Sequence, residues 1–167
     1  MEFHVCALDE LISYIGKLKP THVLTVIEKD HKIDLSMAWC VQEHKVVNFH
    51  DVWHKDADGC PTIEDCREII DWGRTLPEDA IVLVHCYAGI SRSTCATLAL
   101  MYDNHRIMLE EAATRLVQNR KIAFPNTLMA EHFDTLFDLN GEFIRTVHEI
   151  RSKSPFLIHT LNDSVNE

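Results

Sequence analysis

Residues 82–93 read VLVHCYAGISRS, and this stretch decides what kind of fold the chain adopts. Together with Ala80 and Ile81 it begins as the apolar run AIVLVH, the pattern of a parallel strand covered on both faces. It ends in Arg92 and Ser93, which open a segment, 92–103, that is apolar almost all round and belongs in a core as helix. Only five residues separate Cys86 from Arg92, so strand passes to helix through one tight loop. Backbone N–H groups of Tyr87, Ala88, Gly89, Ile90, Ser91 and Arg92 can converge there into an anion-binding nest at a helix N-terminus. Gly89 supplies the backbone freedom that a loop this tight requires. Arg92 offers two parallel N–H donors suited to one phosphate. Cys86 sits at the centre of this positive field, which favours its thiolate and so a nucleophile able to attack phosphorus. The same loop holds the equatorial oxygens of a phosphoryl group in transfer. With 11 His, 6 Cys and 8 Arg in 167 residues, His-Cys-x5-Arg arises by chance only roughly 0.02 times.

Working outward, residues 3–6, 22–27 and 45–49 are rich in β-branched and apolar residues and read as further strands. Segment 9–18 carries Leu11, Ile12, Ile15 and Leu18 at helical spacing and is stopped by Pro20. Residues 34–42 fit either a short helix or extended chain. Thr62 and Asp65 form a capping-box pattern opening a helix to about Arg74, with Ile63, Cys66, Ile69 and Ile70 inward. Three amphipathic helices are expected at 109–119, 127–139 and 142–152. Strands alternating with helices, then helices alone, predict a single α/β domain. Its central, mostly parallel sheet is flanked by helices, with the phosphate-binding loop between a central strand and a helix. The domain is expected over 1–152, with 153–167 as a tail.

Composition narrows the function. Of 167 residues, 46% are hydrophobic and 25% charged, and 5 Gly with 5 Pro exclude a low-complexity or largely disordered chain. The net charge of −10 disfavours nucleic acid and anionic membrane surfaces as partners. Small phosphorylated groups stay open, because one arginine and a ring of backbone donors make a positive pocket inside an acidic envelope. The start MEFHVCALDE lacks a basic and an apolar signal region, so a cytoplasmic protein is expected. The six cysteines show no framework spacing and are expected as reduced thiols. Cys60, Cys66 or Cys95 would matter chemically only if one approached Cys86; buried inert thiols are the plainer reading. His50 and His54, four apart, fit polar positions in a loop better than a metal pair.

The segment HCYAGISRS resembles the signature loop of cysteine-dependent protein phosphatases, in the dual-specificity and small bacterial tyrosine-phosphatase-like branch. The resemblance is strongest over 51–101. It implies hydrolysis of phosphotyrosine, with or without phosphoserine and phosphothreonine, on a phosphorylated protein or peptide, with no cofactor and no metal. Cys86 would form the thiophosphate intermediate, Arg92 would clamp the phosphate, Ser93 would stabilise the departing thiolate, and His85 would support the loop structurally. The family also uses an aspartic acid on a separate loop, which protonates the leaving oxygen and then activates water. In NFHDVWHKDADG the candidates are Asp51, Asp56 and Asp58, of which Asp51 directly follows a strand, 35 residues before Cys86. Asn126 in Pro125-Asn126 either touches the site or caps the helix that follows. The absence of Lys between Cys86 and Arg92 weakens a phosphoinositide phosphatase, and the acidic charge weakens an RNA 5′-phosphatase. A silent phosphate-binding module is disfavoured because nucleophile, clamp and acid are all present. The sequence carries no signal for an oligomeric state.

Overall fold

The run 80–85 becomes a strand because its branched side chains are apolar on both faces, and it takes the middle of the sheet. In the computed structural model, which describes residues 1–157, strands β1 (Glu2–Cys6), β2 (His22–Ile27), β3 (Glu43–Asn48) and β4 (Ile81–His85) form one sheet. All pairings are parallel, in the order β1-β4-β2-β3, and His85 is level with Cys6 on one side and Thr25 on the other. Alternation along β4 sends Val82 and Val84 into the large core and Leu83 into a smaller one. The smaller core is covered by helix α1 (Leu11–Leu18) and by the segment containing Leu35 and Cys40.

The large core lies under α2 (Ile63–Thr75), α3 (Arg92–His105), α4 (Leu109–Asn119), α5 (Thr127–Phe137) and α6 (Glu142–Lys153). Helix α3 is buried from Arg92 to Met101, as its all-round apolar sequence requires. Truncating Leu98 or Leu100 there to Ala costs about 2–5 kcal/mol. The capping box at Thr62 and Asp65 is present and starts α2.

Several boundaries differ from the sequence reading. Helix α1 starts at Leu11, two residues late, because residues 7–10 form a turn closed by Ala7 N–H donating to Glu10 Oε2. Leu11 and Ile15 then face inward, and Ile12 is 73% exposed. Strand β3 spans Glu43–Asn48 rather than 45–49, since its register with β2 begins at His22 opposite Glu43. Residues 34–42 form turns, neither helix nor strand. Helix α5 stops at Phe137, where Asp138 turns left-handed. At the other end, α6 runs to Lys153, Ser154 is buried, and the Phe156 ring lies 5.3 Å from that of Phe124. Ile158 and the remainder of the expected tail lie outside the described residues.

Candidate active site

The chain leaves β4 at His85, and Cys86 is the floor of the loop that follows, 1% exposed. Its Sγ accepts the Gly89 N–H at 3.2 Å and lies 3.1 Å from Ser93 Oγ. Once the sulfur is a thiolate, only Ser93 can be the donor of that pair.

The rest of the loop is organised by its carbonyls. Tyr87 O accepts Leu8 N–H, while Ala88 O and Gly89 O accept Arg120 Nη2 and Nε. Ile90 O accepts Phe124 N–H, and Ser91 O accepts Cys95 N–H and the Thr94 hydroxyl. Five consecutive carbonyls are therefore drawn outward. Because a trans peptide plane sets its N–H opposite its C=O, the N–H groups of Ala88 through Arg92 turn the other way, into the cup. This is how an acidic protein builds a positive pocket without lysines. Gly89 makes the turn at φ +66°, and a Cβ there would stand 2.6 Å from the Cys6 backbone, so no other residue fits.

Arg92 is 2% exposed. Its Nη1 is occupied by Phe49 O at 2.8 Å and Glu28 Oε1 at 2.9 Å. Its Nε is buried with no hydrogen-bond partner. The guanidinium is thus anchored at one corner and keeps a donor free for an oxyanion. Burial pushes the Glu28 carboxyl up, but its own backbone N–H and the Arg92 guanidinium outweigh this and hold it below its ordinary value.

Of the three acid candidates, the structure brings Asp51 to the loop. Asp51 Oδ1 accepts Ser91 Oγ at 2.6 Å and Asn126 Nδ2 at 2.9 Å, and Oδ2 lies 3.8 Å from Arg92 Nε. Asp56 and Asp58 are exposed further along the same loop. Asn126 caps the helix that follows and also contacts Asp51. Its amide reaches Asp51 and Val52 O, and its Oδ1 caps α5 through Met129 N–H. Burial pushes His85 down to about 4, so the ring is neutral and carries no proton between substrate and solvent at ordinary pH.

Cys66 and Cys95 are buried, as the plainer reading has them, whereas Cys60 is only partly buried. Burial pushes the thiols of Cys66 and Cys95 up, and Cys60 Sγ donates to Lys55 O. Cys6, at the end of β1 and level with His85, is pushed up to about 12 mainly by burial. His50 and His54 lie on a loop rather than on one helix face. Among the described residues, no group of three His, Cys, Asp or Glu could hold a metal ion.

Glu28, Arg120 and its ion-pair partner Glu10 (2.9 Å) were not visible as site residues in the sequence. Each is a lone charge in an unremarkable context, delivered to the loop only by the fold.

The family model for the dual specificity phosphatase catalytic domain matches residues 8–138. The chain belongs to that family. The matched span contains Asp51, Cys86, Arg92, Ser93 and Asn126. Human dual specificity protein phosphatase 4 is 34% identical over 100 residues, covering 60% of this chain and 19% of the relative. A Dictyostelium discoideum protein, MAP kinase phosphatase with leucine-rich repeats protein 2, is 30% identical over 122 residues, covering 72% and 16%. The chain spans less than a fifth of the length of these two curated relatives. The Yvh1 phosphatase domain from Chaetomium thermophilum shares the dual-specificity phosphatase fold at TM-score 0.61 and 22% identity, covering 84% of this chain and 93% of that one. No helix among the described residues is long and apolar enough to cross a membrane.

Proposed function

We propose that this chain hydrolyses phosphate monoesters on phosphorylated proteins, phosphotyrosine first, with phosphoserine and phosphothreonine as further substrates. The observation that carries this reading is the ring of outward-tied carbonyls, with Cys86 Sγ at its floor and a free Arg92 donor at its rim.

The Cys86 thiolate attacks phosphorus while the bond from phosphorus to the substrate oxygen breaks. The N–H cup and Arg92 hold the three equatorial oxygens through the transition state. Asp51 gives its proton to the leaving oxygen. Water then attacks the thiophosphate, Asp51 takes the water's proton, and the S–P bond breaks to release inorganic phosphate. The Ser93 hydroxyl donates to the departing sulfur. Every group in this sequence belongs to the chain, and no step calls for a metal. Six free cysteines support a reducing compartment such as the cytoplasm.

Steady-state turnover of para-nitrophenyl phosphate and of a phosphotyrosine peptide tests the reading. Wild-type protein should turn both over, and Cys86→Ser should abolish turnover while keeping peptide binding. Phosphopeptide binding by the wild type without burst or turnover would make it an interaction module instead. Preference for phosphoinositides or 5′-phosphorylated RNA in the same screen would overturn the protein substrate.

A further inference from the structure

Thr25 is a polar residue in the middle of an apolar strand, HVLTVI, and is fully buried. A hydroxyl there needs partners. It finds two, His85 Nε2 on β4 and His44 Nε2 on β3, each at 2.7 Å. His85 in turn places Nδ1 3.3 Å from Cys86 O. A chain of polar groups therefore crosses the sheet at right angles to the strands, from half-buried His44 to the backbone of the nucleophile.

The direction of every hydrogen bond in this chain follows from counting protons. Burial lowers both His85 and His44, so each ring is neutral near pH 7 and carries one N–H. A carbonyl only accepts, so the His85 proton sits on Nδ1 and its Nε2 is bare. The Thr25 hydroxyl must then donate to His85 Nε2. Its single proton spent, Thr25 Oγ1 accepts from His44 Nε2–H. With the His85 Nδ1 contact to Cys86 O as a hydrogen bond, the order is His44 to Thr25 to His85 to Cys86 O.

We propose that Thr25 and His44 are positioning residues that lock His85 as the Nδ1–H tautomer and thereby fix the Cys86 peptide under the phosphate cup. Free neutral histidine prefers the Nε2–H form, so the fold must impose the other one. With Nδ1–H donating, Cys86 O is drawn toward His85, and the Tyr87 N–H of the same peptide plane points to the opposite side. In the other tautomer a bare Nδ1 would face a bare carbonyl oxygen. The first peptide of the loop would then lose its anchor and gain a repulsion. The outward ties of Tyr87, Ala88 and Gly89 begin one residue later and do not replace it.

The inference rests on Cys86 as the reacting thiol, and its test reads the resting protein as well as turnover. Long-range nitrogen–proton spectra of ¹⁵N-histidine-labelled wild-type protein should show His85 as Nδ1–H near neutral pH. Thr25→Val, close in shape and without the hydroxyl, should shift His85 toward Nε2–H. It should also slow iodoacetamide labelling of Cys86 and lower kcat by up to about tenfold, the equivalent of one hydrogen bond. Thr25→Ser should restore all three. His44→Phe removes only the outermost donor and should lower kcat by about two- to threefold. An Nε2–H signal from wild-type His85 would overturn the proposal. So would a folded Thr25→Val protein with unchanged tautomer, labelling and kcat. Should Thr25→Val fail to fold, the wild-type spectrum and His44→Phe decide. A wild-type protein with no turnover would sink the hydrolase reading, and the His85 spectrum would still decide this one.

Discussion

Two loops meet over the proposed phosphate site, and they are held in opposite ways. The loop 86–92 is fixed through its backbone: five carbonyls in a row are tied to Leu8 in the turn after β1, to Arg120 just past α4, to Phe124 before α5 and to α3. The loop 49–61 makes mostly local backbone hydrogen bonds, such as His50 N–H to Gly59 O and Ala57 N–H to His54 O. Side chains carry its attachment to the rest of the protein. Asp51 meets Ser91 and Asn126, Trp53 lies against the Arg151 guanidinium at 5.2 Å, and His132 reaches Pro61 O. The difference matches the proposed tasks. A transition-state cradle works only if its dipoles are already aimed. A proton donor needs one carboxyl at the right place and tolerates a less rigid support.

The largest effect is expected at the proposed acid itself. Asp51→Asn should slow phenyl phosphate hydrolysis by about 10²–10⁴, and para-nitrophenyl phosphate less, because that leaving oxygen needs a proton less. An equal loss in Asp56→Asn or Asp58→Asn, with Asp51→Asn active, would move the acid elsewhere on the loop.

The next effect belongs to the anchored side and concerns stability. His85 is lowered from 6.5 in the unfolded chain to about 4 by burial. Between those values the unfolded chain binds a proton that the folded one refuses. This share of stability is therefore complete above about pH 6.5 and is lost as pH falls toward 4, by up to about 3 kcal/mol. Urea midpoints across that window should fall more steeply in the wild type than in His85→Gln. Equal slopes would remove His85 from the account.

Arg120 supports the loop from outside the pocket. Arg120→Ala frees two loop carbonyls and should lower kcat/KM by about tenfold, with Lys a poor rescue because one ammonium cannot reproduce the fork. Unchanged kinetics would mean that the remaining ties suffice. The smallest effect should come from Arg151, which lies 3.6 Å from the centre of the Phe124 ring and also faces Trp53. Losing a cation–π contact worth about 0.5–1 kcal/mol should reduce kcat by about two- to fivefold in Arg151→Ala. Trp53 fluorescence should change with it.

How far the sequence could be read depended on how local each decision was. Strand, loop and helix around Cys86 are contiguous, and their apolar pattern, glycine and arginine reported both the topology at the sheet centre and the chemistry. Helix α1 was legible as a helix, but Ile12 looked inward because a spacing rule does not say where the first turn begins. Asp51 stood out only by following a strand, since three carboxylates shared one loop and the path of that loop chose among them.

Glu28, His44 and Arg120 carried no signal, and Thr25 showed only as a polar residue in an apolar strand without naming its partners. Thr25 lies 60 residues from His85 in sequence, and Arg120 lies 31 from Gly89. No periodicity links such pairs. The loop after Cys86, the parallel strand that carries it and the family were legible along the chain, because those depend on sequence neighbours. Only the tertiary structure decided what aims the loop, because strand register and helix packing place a lone threonine, glutamate or arginine within hydrogen-bonding distance of a peptide far away in sequence.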